Sequence, residues 1–511
     1  MDKDHHVYIA QFPNYEGKEV VLKGWVANRR TTKNVVFVVF RDGTGFTQLV
    51  IDKQLAGEES YKRADKLGLE TAIEVRGKVV RDERQIGGFE VHVSEFKVLS
   101  SSEDYPIAKK EHGIDFLLDH RHLWLRHRRP WATMRIRNEV VFAIHKFFQE
   151  RGFLQLDAPI FTANACEGTT TLFETDFFGQ PAYLSQSGQL YGEAMAMACG
   201  KIYVFGPTFR AEKSKTRRHL AEFWMVEPEM AFYDLNMTMD LMEDFVKFLI
   251  SQVLKNRQFE LSLLERDTTI LESSASKPYP RITYDEAVEI IKGTRKVNGR
   301  SSLDVLKEDL AKAQKEIKQL EEEEKSLEKQ LETPGLGEKK KARLQGQLGK
   351  VRERLHKLRE QAKNIPLWIE QAENFPYGDD FGGAHETVLT RLFDTPIMVY
   401  KWPREIKAFY MKPFEDEPNF VKGVDMLAPE GYGEIIGGGE RETDLNALLD
   451  QIREHHLPEE AFQWYLDLRR YGSVPHSGFG LGLERFIAWM AGLHHVREAI
   501  PFPRYYGRLT P

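Results

Sequence analysis

The sequence has few cysteines, no long hydrophobic run and little excess of one charge, and each absence excludes a class of protein. Its 511 residues include two cysteines, Cys166 and Cys199, too few for a disulfide framework or a cysteine-rich zinc site. No uncharged apolar run of about 18 residues occurs, so we expect no membrane span. The net charge of -6 disfavours general polyanion binding but allows local basic patches. The charged first residues lack the apolar core of a signal peptide. We therefore expect a cytoplasmic protein of two or more domains, without a membrane partner.

Residues 18 to 100 alternate between apolar and polar positions in five short stretches, as half-buried β-strands do. A helical stretch, Glu58 to Leu67, falls between the third and fourth. This order predicts an OB-fold over residues 1–105, with a generic small β-barrel as the alternative. Basic residues stand near aromatic ones, which favours a surface for single-stranded nucleic acid, because bases stack on rings while guanidinium groups hold phosphates. These residues are Arg29, Arg30, Lys33, Phe37, Phe40 and Phe46.

A polar and then basic segment, 106–131, reads as a hinge before a second domain over residues 132–511. Within that domain, residues 301–364 carry leucines and other apolar residues at alternating spacings of three and four. A break at Thr333-Pro-Gly divides them into two segments of matched length. This pattern predicts an antiparallel helical hairpin, a coiled coil inserted in the domain. Most of its other residues are Lys and Glu, as a solvated arm requires, and the sequence assigns no chemistry to it.

The run from Phe209 to Glu229 places a dense set of charged side chains in a polar loop between two apolar, strand-like stretches. Guanidinium groups can hold phosphate oxygens, acids can hold amines or a metal, and Phe223 offers a ring to a base. A charged surface hairpin is the ordinary alternative for an isolated run. The charged residues are Arg210, Glu212, Arg217, Arg218, His219 and Glu222. Near the end of the chain, glycines from Gly478 onward let a helix pack closely on a strand, and Arg485 follows them.

Two further acids, Asp425 and Glu434, stand in a glycine-rich segment between these two runs. Carboxylate oxygens are hard ligands, suited to a Mg²⁺ ion that bridges phosphates. Arg441, seven residues after Glu434, can reach back toward a small substrate. An ordinary surface loop is the alternative interpretation of this segment.

The runs at Phe209 and Gly478 resemble motifs 2 and 3 of the class II aminoacyl-tRNA synthetases, nearest to the asparaginyl and aspartyl branch. A predicted helix from Met134 to Arg151, followed by a strand and Pro159, resembles motif 1 and implies a homodimer. The resemblance implies an α+β fold, in which the OB-fold barrel precedes an antiparallel sheet flanked by helices. It implies catalytic roles for Arg210, Glu434 and Arg485, with adenine held between Phe223 and Arg485. The implied ATP-binding residues are Arg210, Glu212, Arg218, His219, Phe223, Gly482, Glu484 and Arg485.

The same resemblance outlines an amino-acid pocket, in which Glu167, Ser187 and Gln189 would hold the substrate ammonium. Aspartyl enzymes carry a lysine where this chain has Gly192, followed by Glu193. Replacing a cation with an anion disfavours aspartate, whereas an amide NH₂ can donate to a carboxylate, and Arg441 can donate to the amide oxygen. Such a pocket can discriminate by several orders of magnitude. Glu222 is a second candidate acceptor.

The expected function is ATP-dependent joining of L-asparagine to the 3′ end of asparagine tRNA, through an asparaginyl-adenylate and with Mg²⁺. In the barrel, the resemblance implies that Phe37 stacks on an anticodon base, while Gln48 and Arg29 contact base edges. One alternative is an aspartyl-tRNA synthetase, either specific for its own tRNA or able to charge asparagine tRNA as well. Another is a synthetase-like paralogue that makes free asparagine, although such paralogues lack the barrel. A third is a scaffold built on the hairpin.

Overall fold

The computed structural model describes residues 6–107, 112–163, 172–214 and 216–511. The chain divides into two compact units, residues 1–127 and 128–511, and the boundary falls inside the predicted hinge. No helix within the described ranges is both long enough and apolar enough to cross a membrane.

The first unit is built on a closed five-stranded barrel in the order β1-β2-β3-β5-β4. Alternation along β2 sends one set of its side chains inward, and Val36, Val38 and Phe40 are fully buried. The strands are β1 (Glu19–Thr31), β2 (Val35–Arg41), β3 (Phe46–Asp52), β4 (Ala72–Arg81) and β5 (Phe89–Ser100). The helices are α1 (Lys53–Ala56), α2 (Glu58–Ala64), α3 (Ile114–Asp119) and α4 (Arg121–Trp124), with 3₁₀ turns at Ile9–Asn14 and Ile86–Gly88. Helix α2 lies between the third and fourth strands, as predicted.

The second unit is organised around an eight-stranded sheet in the order β12-β13-β14-β15-β16-β11-β10-β6. Its pairs are antiparallel except for β12 with β13 and β10 with β6. A small sheet has the order β7-β9-β8. The strands are β6 (Leu154–Gln155), β7 (Phe161–Thr162), β8 (Glu174–Phe177), β9 (Gln180–Leu184), β10 (Lys201–Phe209), β11 (Glu222–Ala231), β12 (Arg281–Thr283), β13 (Ile397–Pro403), β14 (Phe420–Ala428), β15 (Gly433–Glu440) and β16 (His476–Gly482).

Helices cover the sheet and contribute much of the core. Helix α7 (Leu235–Asn256) illustrates why they form: Asp234 caps its first turn by accepting from the Met237 amide at 2.8 Å, and a stripe that includes Met242, Phe245 and Leu249 is fully buried. The remaining helices of the described chain are α5 (Arg128–Glu150), α6 (Gln189–Cys199), α7 (Leu235–Asn256), α8 (Gln258–Leu263), α9 (Thr269–Ser276), α10 (Tyr284–Ile291), α11 (Ser302–Leu331), α12 (Glu338–Glu373), α13 (Gly383–Thr390), α14 (Leu445–Glu454), α15 (Gln463–Arg470) and α16 (Leu483–Ala491), with 3₁₀ turns at Arg404–Ile406, Glu459–Phe462 and Val496–Glu498.

Helices α11 and α12 form the arms of a hairpin. Ion pairs between the arms fix an antiparallel register, because residues late in one arm meet residues early in the other. These pairs join Arg352 to Glu324 and Glu328, Arg354 to Glu316, and Arg359 to Glu321. Buried leucines such as Leu327, Leu348 and Leu355 fill the seam between the arms. Helix α12 continues past the predicted end at 364, because Ile365 and Ala372 are buried in the core of the second unit.

Candidate active site

A hairpin of β10 and β11 carries the first half of the site. Its register pairs Phe209 with Glu222, which leaves residues 210–221 as the connecting loop, called the motif 2 loop below. Strand β11 pairs on its other side with β16, and α16 begins directly after β16. Hydrogen bonding of neighbouring strands thus brings the loop, β11 and the first turn of α16 together. One pocket is lined by all eight predicted ATP-binding residues and by Glu434.

Arg210 and Phe223 lie across the base of the loop. The guanidinium carbon of Arg210 is 5.4 Å from the centre of the Phe223 ring, within the range of a cation–π contact. The Arg210 amide donates to the carbonyl of Ala221 at 2.9 Å, which closes the loop at its base. Arg210 and the Phe223 ring therefore both line the same pocket.

Arg218 is held by three acceptors. Its Nη1 donates to Oε2 of Glu386 at 2.5 Å, and its Nη2 donates to Oγ1 of Thr387 at 3.1 Å and to the carbonyl oxygen of Gly431. Burial lowers the pKa of Arg218 and raises the pKa of Glu386. The guanidinium group is therefore fixed before any ligand arrives.

His219 and the start of α16 complete the rim. His219 Nε2 lies 3.7 Å from Glu212, and burial together with the charge of Arg485 lowers its pKa, so the ring is mostly neutral at pH 7. Arg485 Nη1 donates to the carbonyl of Glu434 at 2.5 Å. Glu484 accepts from the Trp224 amide at 2.9 Å and from Arg137 at 2.6 Å. Glu484 therefore ties β11 and α5 to the first turn of α16.

Asp425 and Glu434 converge over Gly437. A Cβ atom at Gly437 would lie 2.6 Å from Oε1 of Glu434 and 3.4 Å from Oδ1 of Asp425, so only glycine leaves room for both carboxylates. Lys407 donates to Asp425 at 2.5 Å. Burial raises the pKa of Asp425 to about 7, with Lys407 opposing and the charge of Glu434 adding.

These oxygen donors fit a hard divalent cation. Among the described residues, no three His, Cys, Asp or Glu side chains are placed to hold a metal ion. Mg²⁺ is commonly held by one or two carboxylates together with substrate phosphates, and two carboxylates are what this site presents.

Three of the residues predicted for the amino-acid pocket, Ser187, Gln189 and Glu193, lie just before or along α6. Glu167 falls outside the described residues. Ser187 donates its hydroxyl to Glu227, and the Gly188 amide donates to the same carboxylate at 2.8 Å. Gln189 Nε2 donates to Glu193 at 3.0 Å. Ser187 and Gln189 are thus anchored by buried acids.

Glu193 has a different environment from the one predicted. It is fully buried and accepts from the Tyr465 hydroxyl at 2.7 and 2.8 Å, from Arg469 Nη2 at 2.9 Å and from His476 Nε2 at 2.9 Å. Burial opposes its ionisation, but the charges of Arg469, His476 and Arg441 outweigh this and hold its pKa below the usual value. With Gln189 as well, protein donors fill the acceptor capacity of both oxygens. This geometry indicates a structural carboxylate rather than a reader of the substrate amide.

The sequence predicts Arg441 for the pocket but not its buried partner, Glu229. Arg441 Nη2 donates to Oε1 of Glu229 at 2.6 Å, and both side chains are buried. A Cβ atom at Gly192 would lie 3.2 Å from Cγ of Glu229, and one at Gly478 would overlap its carboxylate at 2.2 Å. The acid that faces position 192 is therefore Glu229. Burial raises its pKa to about 8, with Arg441 opposing and Glu193 adding.

A signal for Glu229 was present in the sequence. Glu227 and Glu229 are two residues apart on β11, so both point to one face, and acids on an otherwise apolar strand need a partner. Glu222, in contrast, is seven residues from Glu229 on the same strand, roughly 23 Å away at about 3.3 Å per residue. The structure does not bring Glu222 to this pocket.

On the barrel, Phe37 and Gln48 share the outer face, and Arg29 does not. Strand pairing sets Arg30 opposite Phe37, and the Arg30 guanidinium lies 4.8 Å from the ring centre. Gln48 donates to Glu90 at 3.1 Å. Arg29 pairs in register with the buried Val38 and bonds Asp65 at 3.2 Å. A β-bulge between Val26 and Asn28 shifts which arginine faces outward.

Comparison with known proteins agrees with this architecture. The model of the family "tRNA synthetases class II (D, K and N)" matches residues 113–506, and that of the "OB-fold nucleic acid binding domain" matches residues 20–99. The chain belongs to the class II tRNA synthetases. The predicted α+β fold, with an OB-fold barrel before a class II catalytic domain, is confirmed.

Full-length relatives narrow the family to its asparaginyl branch. The chain is 48% identical over 507 residues to the asparagine–tRNA ligase of Thermus thermophilus, covering 99% of this chain and 100% of the relative. It is 47% identical to that of Sorangium cellulosum, covering 97% and 96%. Among solved structures, it is similar to asparaginyl-tRNA synthetase from Pyrococcus horikoshii complexed with asparaginyl-adenylate, with a TM-score of 0.80, 37% identity and coverage of 100% of both chains.

Proposed function

We propose that the chain joins L-asparagine to the 3′ end of asparagine tRNA, with ATP converted to AMP and pyrophosphate. The observation that carries the choice of amino acid is the buried Glu229–Arg441 pair beside Gly192. An amide can donate its NH₂ to Glu229 and accept from Arg441 through its oxygen. An aspartate carboxylate would face a like charge whenever Glu229 is ionised, which a buried site penalises strongly.

In the first step, the α-carboxylate of asparagine attacks the α-phosphorus of ATP. It is ionised at neutral pH and needs no base. A carboxylate oxygen–phosphorus bond forms and the bond to pyrophosphate breaks, while Arg210 stabilises the charge on the phosphoryl oxygens. Phe223 and Arg485 hold adenine, and Arg218 and His219 receive the outer phosphates. A Mg²⁺ ion held by Asp425 and Glu434 would supply further charge neutralisation on the phosphate oxygens.

In the second step, the terminal ribose 3′-hydroxyl of the tRNA attacks the carbonyl carbon of the adenylate. The ester bond forms, AMP leaves, and a phosphate oxygen takes the hydroxyl proton. We place the ammonium group of asparagine beside Ser187 and Gln189, with Glu167 as a further partner. Catalysis is then mainly orientation and preorganised charge, and the fixed guanidinium of Arg218 supports this.

We assign anticodon binding to the outer barrel face that carries Phe37 and Gln48. Phe37 stacks on a base and Gln48 contacts a base edge. The stacked position of Arg30 over Phe37 supports Arg30 for the phosphate or base contact first expected of Arg29.

We also propose a homodimer through the face around α5. The side chain of Phe142, in the middle of that helix, is 68% exposed, and Leu154 and Phe161 nearby in sequence are about half exposed, at 49% and 50%. Large exposed apolar side chains on α5 and on the two strands that follow it favour a subunit interface there. We place the protein in the cytoplasm, since Cys199 is a free and exposed thiol, which suits a reducing compartment.

The experiment that tests the function is aminoacylation of an asparagine tRNA transcript with labelled asparagine or labelled aspartate. We expect charging with asparagine alone, dependent on ATP and Mg²⁺. Charging with aspartate at a similar kcat/KM would mean that the Glu229–Arg441 pair does not select the amide. No charging with either amino acid would overturn the proposal.

A further inference from the structure

The helical hairpin reaches the motif 2 loop through an ion pair. Nη2 of Arg217, in the loop, lies 2.6 Å from Oε2 of Glu360 on α12. The two residues are 143 positions apart in the sequence. The side chains are 41% and 34% exposed, so the contact is partly shielded from water. The arm to which the sequence assigned no chemistry therefore contacts the loop that forms the ATP pocket.

Further contacts hold Arg217 in place. Its Nη1 donates to Nδ1 of His494 at 3.3 Å, and Nε2 of the same histidine lies 3.8 Å from Glu360. Its main-chain carbonyl accepts from the Val496 amide at 3.1 Å. Val496 itself lines the ATP pocket. Both the side chain and the main chain of Arg217 are thus fixed, the first partly by the hairpin and the second by the pocket wall.

The position of Arg217 bears directly on its neighbours. Arg218 and His219 line the pocket, whereas Arg217 is not among the lining residues. A shift of the Arg217 main chain would displace Arg218, whose hydrogen bonds to Glu386 and Thr387 depend on that position. Misplacement of a binding group by about 1 Å is enough to weaken the ligand's transition-state contacts.

We infer that Glu360 is a positioning residue for the ATP site, which holds the motif 2 loop through Arg217 in the arrangement that receives the nucleotide phosphates. The inference rests on the proposed function, because it assigns phosphate binding to the loop. The hairpin then has a role in the reaction, because α12 supports the loop. Loss of this support should weaken ATP binding and leave asparagine binding unchanged.

The first test is pyrophosphate exchange with Glu360→Gln, measured against ATP and against asparagine. A partly exposed ion pair is worth at most about 1 kcal/mol, which corresponds to about a fivefold change. We expect the KM for ATP to rise about two- to fivefold, while the KM for asparagine stays the same. In the charge-exchanged variant R217E/E360R, the KM for ATP should be closer to the wild-type value than in either single variant.

Glu321→Gln is the matched control. It removes the Arg359–Glu321 pair, which spans 2.7 Å in the same hairpin with 55% and 39% exposed side chains but does not involve the loop. The inference predicts an unchanged KM for ATP in this variant. An unchanged KM in Glu360→Gln, or equal effects of Glu360→Gln and Glu321→Gln, would overturn it.

A second measurement separates this inference from the proposed function. Hydrogen exchange of the amides in residues 216–219 should be faster in Glu360→Gln than in the wild type or in Glu321→Gln, whether or not the protein turns over ATP. If the wild type shows no pyrophosphate exchange, the proposed function fails. Amide hydrogen exchange then still tests whether Glu360 holds the loop. Equal amide protection in all three proteins would contradict the role of Glu360 in holding the loop, even in an active enzyme.

Discussion

Arg441 donates to Glu229 across 2.6 Å, and the two side chains are only 2% and 1% exposed. Desolvation makes such a pair a poor source of stability, while the loss of one partner leaves an uncompensated charge. Two glycines, Gly192 and Gly478, leave the space that Glu229 occupies. The pair thus has the placement and chemistry of a selective element for an amide side chain.

Substitution of Glu229 tests this role. In Glu229→Gln the charge-assisted acceptor for the substrate NH₂ is lost, and such a hydrogen bond is worth about 1.5–3 kcal/mol. We expect kcat/KM for asparagine in pyrophosphate exchange to fall about 10- to 150-fold, with the KM for ATP nearly unchanged. Glu260→Gln is a matched control, because Glu260 also pairs with an arginine, Arg135, at 2.5 Å and is buried. Loss of activity in the control to the same extent would point to general destabilisation instead.

The raised pKa of Glu229 predicts a pH dependence. Its pKa of about 8 means that a proton occupies the carboxyl at pH 6, and asparagine binding must displace that proton. The KM for asparagine should therefore fall as the pH rises from about 6 to about 8, by at most tenfold per unit. The raised pKa also links stability to pH in the protein without asparagine. Its free energy of unfolding should fall as the pH rises from about 4 to about 8, because the unfolded chain releases this proton at a lower pH than the folded protein does. A flat KM profile, or one that survives in Glu229→Gln, would contradict the assignment.

Glu193 is expected to matter for folding. Glu193→Gln would leave the buried Arg469 without its counter-charge, and removal of one member of a buried ion pair costs about 3–5 kcal/mol. Because the folded-state pKa of Glu193 lies below its unfolded value, this contribution is present at neutral pH and is lost as the pH falls below about 4. Thermal unfolding at pH 7 should show a marked loss of stability. A stable variant with altered preference for asparagine would restore Glu193 as the amide reader.

The barrel face can be tested separately from catalysis. Phe37→Ala should weaken tRNA binding about fivefold or more, because one stacked base contributes about 1–3 kcal/mol. Pyrophosphate exchange without tRNA should be unaffected. Trp25→Ala removes another barrel aromatic that contacts an arginine, Arg41, at 4.7 Å, and should leave tRNA affinity unchanged. Equal effects of the two substitutions in a filter-binding titration would count against the assigned face.

The sequence predicted best what depends on short-range order. The ATP-binding residues of the motif 2 loop follow one another in a single hairpin, so their meeting in one pocket required only that β10 and β11 pair. The helix between the third and fourth barrel strands was equally local. In each case, residues that are close in the sequence are also close in the structure.

Other features depend on contacts that spacing does not reveal. Glu229 and Arg441 are 212 positions apart, and Arg217 and Glu360 are 143 apart, so neither pair has a local signature. One bulge in β1 reversed the faces of Arg29 and Arg30, because a single added residue inverts strand alternation. Glu193 looked available because its donors, Tyr465, Arg469 and His476, come from the end of the chain.

The most direct measurement is ATP–pyrophosphate exchange by the purified protein without tRNA, comparing asparagine with aspartate. We expect exchange with asparagine and little with aspartate, because Glu229 accepts an amide NH₂ and opposes a second carboxylate. Exchange driven by aspartate, with asparagine inactive, would contradict this role of Glu229 and would show that the pocket around Glu229 and Arg441 selects the acid.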